Sequence, residues 1–325
     1  MKQEYLLNIK NFTMDYHSGD KLVHAVRGLD LHIRSGETIG LVGETGAGKT
    51  TTALGILRIL PEVSAVIRDG QIEFEGQDLL LKGKKEMRKI RGRDIAMIFQ
   101  DPMTSLDPVV TVGAQIEEMI ALHSDMPRSQ LRKAAEDMLE VVGIKRERFD
   151  DYPHQFSGGM KQRVVIAIAL SCNPKLMIAD EPTTALDVTI QAQVLELMKE
   201  LKKKYQTAMI LITHDLGVVA DICDKVAIMY AGQIVEYGSL EDVFDRHVHP
   251  YTEGLFNSIP SIDSEQEMLK VIEGLTPDPT DLPGGCAFHP RCPYAEERCL
   301  LQCPEVMPVS GDHYVRCFRC GQEVR

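Results

Sequence analysis

Short apolar runs alternate with amphipathic stretches along most of the chain before residue 260. The runs with the length and apolar content of buried strands are Glu37–Val42, Arg93–Phe99, Lys175–Ala179, Ala208–Thr213 and Lys225–Tyr230. Apolar residues at helical spacing predict helices over Thr51–Leu60, Thr111–Leu122 and Ser129–Val142, another that ends near Cys172, and one that follows Asp187. Strands and helices therefore alternate along this part of the chain.

The pattern changes at the two ends of the sequence. Residues 4–34 read as strands joined by a turn at His17–Asp20, Gln71–Glu75 reads as another short strand, and Ile234–Tyr237 pairs with the preceding strand around Gly232. After Ser258 the periodicity fades, and eight of the 16 prolines lie between Pro260 and Pro308. We therefore expect one domain over residues 1–260, with a helical insertion at about residues 101–172, and a loop-rich domain over residues 261–325.

Charge and hydropathy exclude some classes of protein. The formal net charge is −12, whereas a general nucleic-acid binder usually needs a basic face. The N-terminus has no apolar core of signal-peptide length, and the longest fully apolar run, Val164–Leu170, is too short to cross a bilayer. We expect a cytosolic protein, which is compatible with docking on a membrane protein.

The residues Gly43–Thr50, GETGAGKT, fit the phosphate-binding loop pattern G-x-x-x-x-G-K-[ST] between a predicted strand and a predicted helix. Glycines allow the sharp turn that aims backbone N–H groups inward, and the helix N-terminus adds partial positive charge. Lys49 is expected to reach the β- and γ-phosphates and Thr50 to bind Mg²⁺. The alternative is a glycine-rich turn with a chance lysine, which the strand–loop–helix context disfavours.

Polar residues follow several predicted strands. Gln100 ends one strand, and Asp180 with Glu181 ends another. Because neighbouring strand residues point to opposite sides, we assign Asp180 to the Mg²⁺ shell and Glu181 to the attacking water. His214 ends a third strand and is a candidate for contacting the γ-phosphate, although a lone histidine is usually structural. An acidic strand end in solvent is the alternative for the carboxylates.

A second candidate anion site is Ser157-Gly158-Gly159, at the start of a predicted helix. Alone, this tripeptide is usually only a turn, and its position before the Asp180-Glu181 strand is what favours a site. Asp187 is predicted to cap the next helix. Tyr16 precedes the phosphate loop, and its ring either stacks on adenine or packs on its own strand.

Taken together, these motifs resemble the ATP-binding subunit of an ABC transporter. The matching segments are GETGAGKT at 43–50, Gln100, FSGGM at 156–160, LMIADEP at 176–182, TALD at 184–187 and His214. The usual LSGGQ motif departs here at Phe156 and Met160 but keeps its serine and glycines. The resemblance implies an α/β P-loop cassette: a mixed, mostly parallel sheet, an antiparallel β subdomain and a helical subdomain.

A closer resemblance is to the dipeptide/oligopeptide importer branch. It rests on the sequence between Gln155 and Gln193, on HPYT at 249–252 and on GCAFHPRCPYA at 285–295. It implies a Mg²⁺-dependent ATPase at the cytoplasmic face of the membrane that powers peptide uptake. The implied partners are two permease subunits, a second ATPase subunit, with a heterodimer favoured, and indirectly an extracytoplasmic solute-binding protein.

The resemblance also implies roles for individual residues. Catalysis is assigned to Glu181, with Gln100 sensing metal and water and His214 supporting the transition-state charge. Mg²⁺ is assigned to Thr50, Gln100 and Asp180. The expected nucleotide-binding residues are Tyr16, Gly43, Glu44, Thr45, Gly46, Ala47, Gly48, Lys49, Thr50, Thr51, Ser157, Gly158, Gly159 and Asp187. Two ATPs are expected between two subunits arranged head to tail, with Ser157 and Gly159 contacting the γ-phosphate of the ATP bound by the other.

Six of the eight cysteines lie between Cys286 and Cys320, and in a reducing cytosol such a cluster favours metal binding over disulfides. The resemblance implies a [4Fe–4S] cluster held by Cys286, Cys292, Cys299 and Cys317, which leaves Cys303 and Cys320 as spare residues. The C-x-x-C pair Cys317/Cys320 keeps zinc open, and free thiols are the third possibility. We expect the site to stabilise the tail rather than transfer electrons.

Other functions remain open from sequence alone. Related importers carry nickel or glutathione, so the ATPase of such a system is one alternative. A soluble ABC-type ATPase without a permease is disfavoured by the single cassette and the lack of a basic face. An iron–sulfur redox or sensor protein is disfavoured because no flavin or nicotinamide motif is present.

Overall fold

The computed structural model describes residues 5–184, 186–258 and 271–321. The chain divides into two compact units, which are described separately. The first comprises Met1–Leu6, Ile33–Thr38 and Asp78–Ile212; the second comprises Leu7–His32, Ile39–Gln77 and Thr213–Arg325. The domain boundary expected near residue 260 lies outside the described residues.

The strands and helices of the described residues are numbered in chain order. The strands are β1 (Leu7–Ser18), β2 (Lys21–Ile33), β3 (Thr38–Val42), β4 (Ala65–Phe74), β5 (Gln77–Asp78), β6 (Ile95–Ile98), β7 (Leu176–Asp180), β8 (Ala208–Thr213), β9 (Lys225–Tyr230), β10 (Gln233–Ser239), β11 (Met307–Ser310) and β12 (His313–Val315). The α-helices are α1 (Lys49–Leu57), α2 (Lys84–Ile90), α3 (Pro102–Ser105), α4 (Val112–His123), α5 (Arg128–Val141), α6 (Gly158–Leu170), α7 (Val188–Tyr205), α8 (Leu216–Ile222), α9 (Leu240–Asp245), α10 (Pro250–Asn257) and α11 (Glu297–Leu301).

The first unit contains three parallel strands in the order β8-β7-β6 and most of the helices. Every residue of β7 is buried, as is expected of a parallel strand that is covered on both faces. The helical insertion predicted from the 3.6-residue spacing is present as α4 and α5, which pack on each other and on α6. Strand β7 ends at Asp180 and therefore delivers the two predicted carboxylates at its carboxyl end.

The second unit contains an antiparallel sheet and a mixed one. Strand β1 pairs antiparallel with β4, and the order is β2-β1-β4. The other sheet has the order β11-β12-β10-β9-β3, in which β3 and β9 are parallel and the remaining pairs are antiparallel. The C-terminal strands β11 and β12 thus extend the sheet that carries β3, the strand that leads into the phosphate loop.

Two predicted elements differ in their bounds. Helix α1 begins at Lys49 rather than Thr51, because Gly48 takes a left-handed conformation (φ 102°) at its N-cap. The helix ends at Leu57 rather than Leu60, because Arg58 is also left-handed and its N–H turns back to the carbonyls of Gly55 and Leu54. Strand β4 begins at Ala65, well before the predicted start at Gln71.

Close packing of Gly113 on Phe149 generates a stability prediction for the first unit. A Cβ at Gly113 in α4 would overlap the ring of Phe149, which is 4% exposed and lies under the guanidinium of Arg132. We expect Gly113→Ala to lower the free energy of unfolding by about 1–3 kcal/mol, despite the better helix propensity of alanine. Urea unfolding measures it. The same substitution should cost less in a Phe149→Leu background; equal costs in both backgrounds would contradict the packing argument.

Candidate functional site

The phosphate loop joins β3 to α1 in the second unit, and neighbouring backbone fixes its shape. A Cβ at Gly43 would overlap the carbonyl of Met229, and one at Gly48 would overlap the carbonyl of Ala25. The N–H of Gly232 also donates to the carbonyl of Ala47 at 2.9 Å. Only glycine fits at these two positions, so the sequence motif corresponds to a backbone requirement here.

The polar groups of this loop suit an anion. The Lys49 side chain is 8% exposed, and its ammonium donates to the carbonyls of Gly43 at 2.6 Å and Glu44 at 3.0 Å. Thr45, Gly46 and Thr50 are exposed, Thr51 is half-buried and Ala47 is buried. The loop therefore presents a positive charge and the N-terminal amides of α1 beside hydroxyl groups that face solvent.

Glu181 in the first unit is held in an unusual backbone conformation. Its φ is 44°, in the left-handed region that a non-glycine residue seldom adopts, and its N–H donates to the carbonyl of Ile212 at 2.8 Å. One carboxylate oxygen accepts hydrogen bonds from the Gln100 amide at 2.8 Å and from the Thr184 hydroxyl at 2.9 Å. Strain concentrated at a polar, hydrogen-bonded residue is typical of functional sites.

This geometry changes one step of the sequence argument. The opposite orientation of Asp180 and Glu181 was expected from strand alternation, but β7 ends at Asp180 and Glu181 lies outside it. Asp180 is 3% exposed, whereas Glu181 is half-buried. The two carboxylates therefore differ because the backbone turns between them, rather than because a strand continues. Thr184, which the sequence argument did not assign, is part of the Glu181 site.

Ser157 caps α6, with its hydroxyl accepting from the N–H of Met160 at 3.4 Å, while Ser157 and Gly158 are exposed. A Cβ at Gly159 would overlap the side chain of Ile190. The predicted N-cap at Asp187 is confirmed, since its carboxylate accepts from the N–H of Ile190 at 3.0 Å. Gly159 and Asp187 thus meet at the same residue, Ile190, at the N-terminal ends of two helices.

The two departures from the usual LSGGQ motif share one partner. The guanidinium of Arg148 lies 4.0 Å from the centre of the Phe156 ring, and it also approaches the sulfur of Met160 at 3.6 Å. The same arginine donates to the carbonyl of Gln155 at 3.0 Å and pairs with Asp151. Arg148 therefore buttresses the segment that carries Ser157, a role that no local pattern indicated.

The remaining predicted site residues are His214 and Tyr16. His214 follows the last residue of β8 and is exposed, and Tyr16 is half-buried on β1 opposite Ala65. Their assignments to the γ-phosphate and to adenine stay predictions.

Sequence reasoning missed two residues that hold the phosphate loop. The guanidinium of Arg291 makes two hydrogen bonds to the carboxylate of Glu44, at 2.7 and 3.0 Å. The hydroxyl of Tyr251 accepts a hydrogen bond from the N–H of Glu44 at 2.9 Å. Both lie in segments quoted above only for their family resemblance, HPYT and HPRC, and both belong to the same compact unit as the loop.

The four cysteines proposed as ligands line one cavity in the C-terminal region, together with His249, Phe288 and others; Cys303 and Cys320 do not line it. Burial raises the pKa of the Cys286 and Cys292 thiols, and raises that of Cys317 to about 11, so these thiols stay protonated at neutral pH. Within the described residues, no group of three or more His, Cys, Asp or Glu side chains is arranged to hold a metal ion. The metal assignment therefore stays a prediction.

Residues 26–184 match the family model "ABC transporter", and residues 235–299 match "Oligopeptide/dipeptide transporter, C-terminal region". The oligopeptide transport ATP-binding protein AppD of Bacillus subtilis is 49% identical, with 98% of each chain covered. The oligopeptide transport ATP-binding protein OppD of Escherichia coli is 46% identical, covering 98% of this chain and 94% of that protein. Similarity to these relatives thus includes the cysteine-rich region.

Solved structures confirm the predicted cassette fold. The ATP-binding cassette MJ0796, in a dimeric post-hydrolysis state with ADP and Pi, aligns with a TM-score of 0.65 and 27% identity, covering 72% of this chain and 98% of that one. CbiO1 of Clostridium perfringens, part of the transporter complex cbiONQ, aligns with a TM-score of 0.65 and 28% identity, covering 75% and 92%. No helix in the described part of the present chain is long and apolar enough to cross a membrane.

The Glu181 geometry generates a prediction for catalysis. Glu181→Gln keeps the side-chain shape and removes the base, so we expect ATP binding to be retained and turnover to fall by roughly 10²–10⁴-fold. Steady-state phosphate release and nucleotide titration measure the two properties. Glu196→Gln, on exposed α7 surface and paired with Lys199, is the matched control and should keep its turnover. Near-normal turnover in Glu181→Gln would remove this residue from the role.

Proposed function

The chain belongs to the family of ATP-hydrolysing, ATP-binding subunits of oligopeptide and dipeptide ABC transporters, and we propose that it powers peptide uptake through partner permease subunits. The geometric observation that carries the ATPase part is the phosphate loop, in which Gly43 and Gly48 are packed on backbone and Lys49 lies against the loop. The peptide part rests on similarity over nearly the whole chain.

Each residue of the predicted site has a proposed role in ATP hydrolysis. Lys49 and the loop amides bind the phosphates, and Thr50, Gln100 and Asp180 would hold the Mg²⁺ ion, which would offset charge on the phosphates. Glu181 accepts the proton of the attacking water or orients it, and its hydrogen bonds from Gln100 and Thr184 support this role by fixing one of its oxygens. His214 supports the transition-state charge. The exposed Ser157 and Gly158, with Gly159, are proposed to contact the γ-phosphate of ATP bound to a second subunit.

An importer ATPase of this family works with permease subunits and a substrate-binding protein, and it is peripheral to the membrane. We propose that the permease contact lies in the helical insertion that follows Gln100, and that the second ATPase subunit is a different chain. Exposed apolar side chains in the insertion support the permease part: Val109 is 78% exposed and Leu122 is 66% exposed.

The coupling of ATP hydrolysis to peptide uptake can be tested at Val109 and Leu122. We expect Val109→Ser and Leu122→Ser to reduce uptake of labelled peptide in the assembled transporter while the basal ATPase activity of the same assembly, measured without peptide, is kept. The reason is that both side chains face solvent in this chain and serve neither unit's core. Leu81→Ser is the matched control, since Leu81 is 85% exposed but lies outside the insertion. Proportional loss of uptake and ATPase activity, or equal loss in the control, would contradict the assignment. Parallel uptake of nickel and glutathione tests the alternative substrates.

For the C-terminal cysteines we propose a [4Fe–4S] cluster with Cys286, Cys292, Cys299 and Cys317 as ligands. Support comes from the single cavity that these four line and from the chemistry of thiolates, the usual ligands of such clusters. The proposed role of the cluster is to hold together a region that is short of regular secondary structure.

Metal analysis tests this proposal. After anaerobic purification we expect about four iron and four acid-labile sulfide per chain. Serine substitution at Cys286, Cys292, Cys299 or Cys317 should remove the iron, whereas Cys303→Ser and Cys320→Ser, two cysteines outside the cavity, should keep it. Stoichiometric zinc without sulfide would reject the cluster in favour of the zinc alternative.

A further inference from the structure

Glu44, the second residue of the phosphate loop, has each of its polar groups engaged. Its N–H donates to Tyr251, its carboxylate accepts from Arg291, and its carbonyl accepts from Lys49 at 3.0 Å. Two of these partners come from the C-terminal part of the chain, far from the loop in sequence. The loop is therefore held from outside the motif that defines it.

Every guanidinium nitrogen of Arg291 donates at least one hydrogen bond. Its side chain is 5% exposed, and both of its terminal nitrogens reach Glu44. The remaining donors are directed at the carbonyls of Glu273 at 3.1 Å and Ile272 at 3.4 Å and at the hydroxyl of Tyr230 at 3.4 Å. A bidentate, largely buried pair of this kind sets the geometry of both partners.

Tyr251 is fully buried and belongs to an aromatic cluster with Tyr230 and Phe288. The ring centres are 4.6 Å apart for Tyr230 and Tyr251, 5.2 Å for Tyr230 and Phe288, and 5.4 Å for Tyr251 and Phe288. This cluster joins the end of β9, the start of α10 and the segment between Cys286 and Cys292, which contains Phe288 and Arg291. The hydroxyl that meets Glu44 is thus positioned by the packing of the C-terminal region.

We infer that Arg291 and Tyr251 are positioning residues for ATP binding: they hold Glu44 so that the phosphate loop keeps its shape, and Arg291 neutralises a carboxylate that would otherwise repel the phosphates. The inference rests on the proposed role of the phosphate loop in binding ATP. The C-terminal region is then part of the nucleotide-binding machinery, in addition to any role of its cysteines.

The neutralisation of Glu44 by Arg291 predicts a change in ATP affinity that a purely structural role of Arg291 would not produce. Removing Arg291 leaves the Glu44 carboxylate uncompensated beside the phosphate site, so Arg291→Met should raise the Kd for MgATP by about tenfold or more. Glu44→Gln removes the repelling charge together with the ion pair and should change the Kd by only about threefold. In the double variant the Kd should fall back towards that of Glu44→Gln, because no uncompensated charge remains.

The measurement is a titration of the full chain with a fluorescent ATP analogue and Mg²⁺, alongside steady-state ATPase kinetics. For Arg291→Met we expect the KM for ATP to rise while kcat changes little. Arg246→Met is the control: Arg246 lies in the same unit and pairs with Asp242 and Glu241 on α9, outside the cysteine cavity, and makes no described contact with the loop. Its Kd should stay within about twofold of wild type.

Three outcomes would overturn the inference: a wild-type Kd in Arg291→Met, an equal loss in Arg246→Met, or no recovery in the double variant. If Arg291→Met does not fold, Arg291→Gln replaces it, and a wild-type Kd there would also overturn the inference, since glutamine carries no charge to compensate Glu44 and cannot make the bidentate contact. Lys49→Ala distinguishes a failure of the proposed ATP-binding function of the loop from a failure of the positioning role of Arg291. Unchanged ATP affinity in Lys49→Ala would overturn the proposed loop function itself, whereas weak binding there with normal binding in Arg291→Met overturns only the positioning role.

Discussion

The close approach of backbone to the phosphate loop is the constraint on which the second unit depends. Gly43 and Gly48 leave no room for a Cβ, because the carbonyls of Met229 and Ala25 occupy that space. The segments that supply these carbonyls are also joined nearby, since the N–H of Arg27 in β2 donates to the carbonyl of Gly232, just after β9, at 2.8 Å. The loop is thus seated on rigid backbone, which is what a site that must bind phosphate through its own N–H groups requires.

Most of the elements could be predicted because their signals are local. Strands β7, β8 and β9 read as continuous apolar runs since all their residues are buried, and α4 and α5 keep a helical spacing because each buries one face. The phosphate loop, Ser157 and Asp187 were also found from short motifs, since a helix N-terminus needs particular residue types within a few positions. Boundaries failed where a left-handed residue, such as Arg58, ended an element that periodicity would have continued.

What could not be predicted depends on contacts between distant parts of the sequence. The left-handed conformation of Glu181 occurs without a local glycine that would indicate it, at a residue whose N–H donates to the carbonyl of Ile212 in β8. The packing of Gly159 on Ile190 gives that glycine a steric reason that a motif alone does not express. Arg148 is likewise invisible as a partner of Phe156 and Met160 until the chain is folded. In each case the contact comes from the tertiary structure, and the local sequence pattern contains no sign of it.

The two compact units hold different members of the predicted site. The first unit holds Gln100, Ser157, Asp180 and Glu181, whereas the second holds the phosphate loop, Tyr251, Arg291 and the cysteines. The C-terminal region therefore belongs to the same compact unit as the proposed phosphate-binding loop. A region that contacts Glu44 acts on the ground-state complex as much as on the transition state, so its influence is expected in affinity for ATP. Under the proposed role of Arg291 and Tyr251, a segment that looks like an appendage in the sequence takes part in ATP binding, the first step of the ATPase cycle.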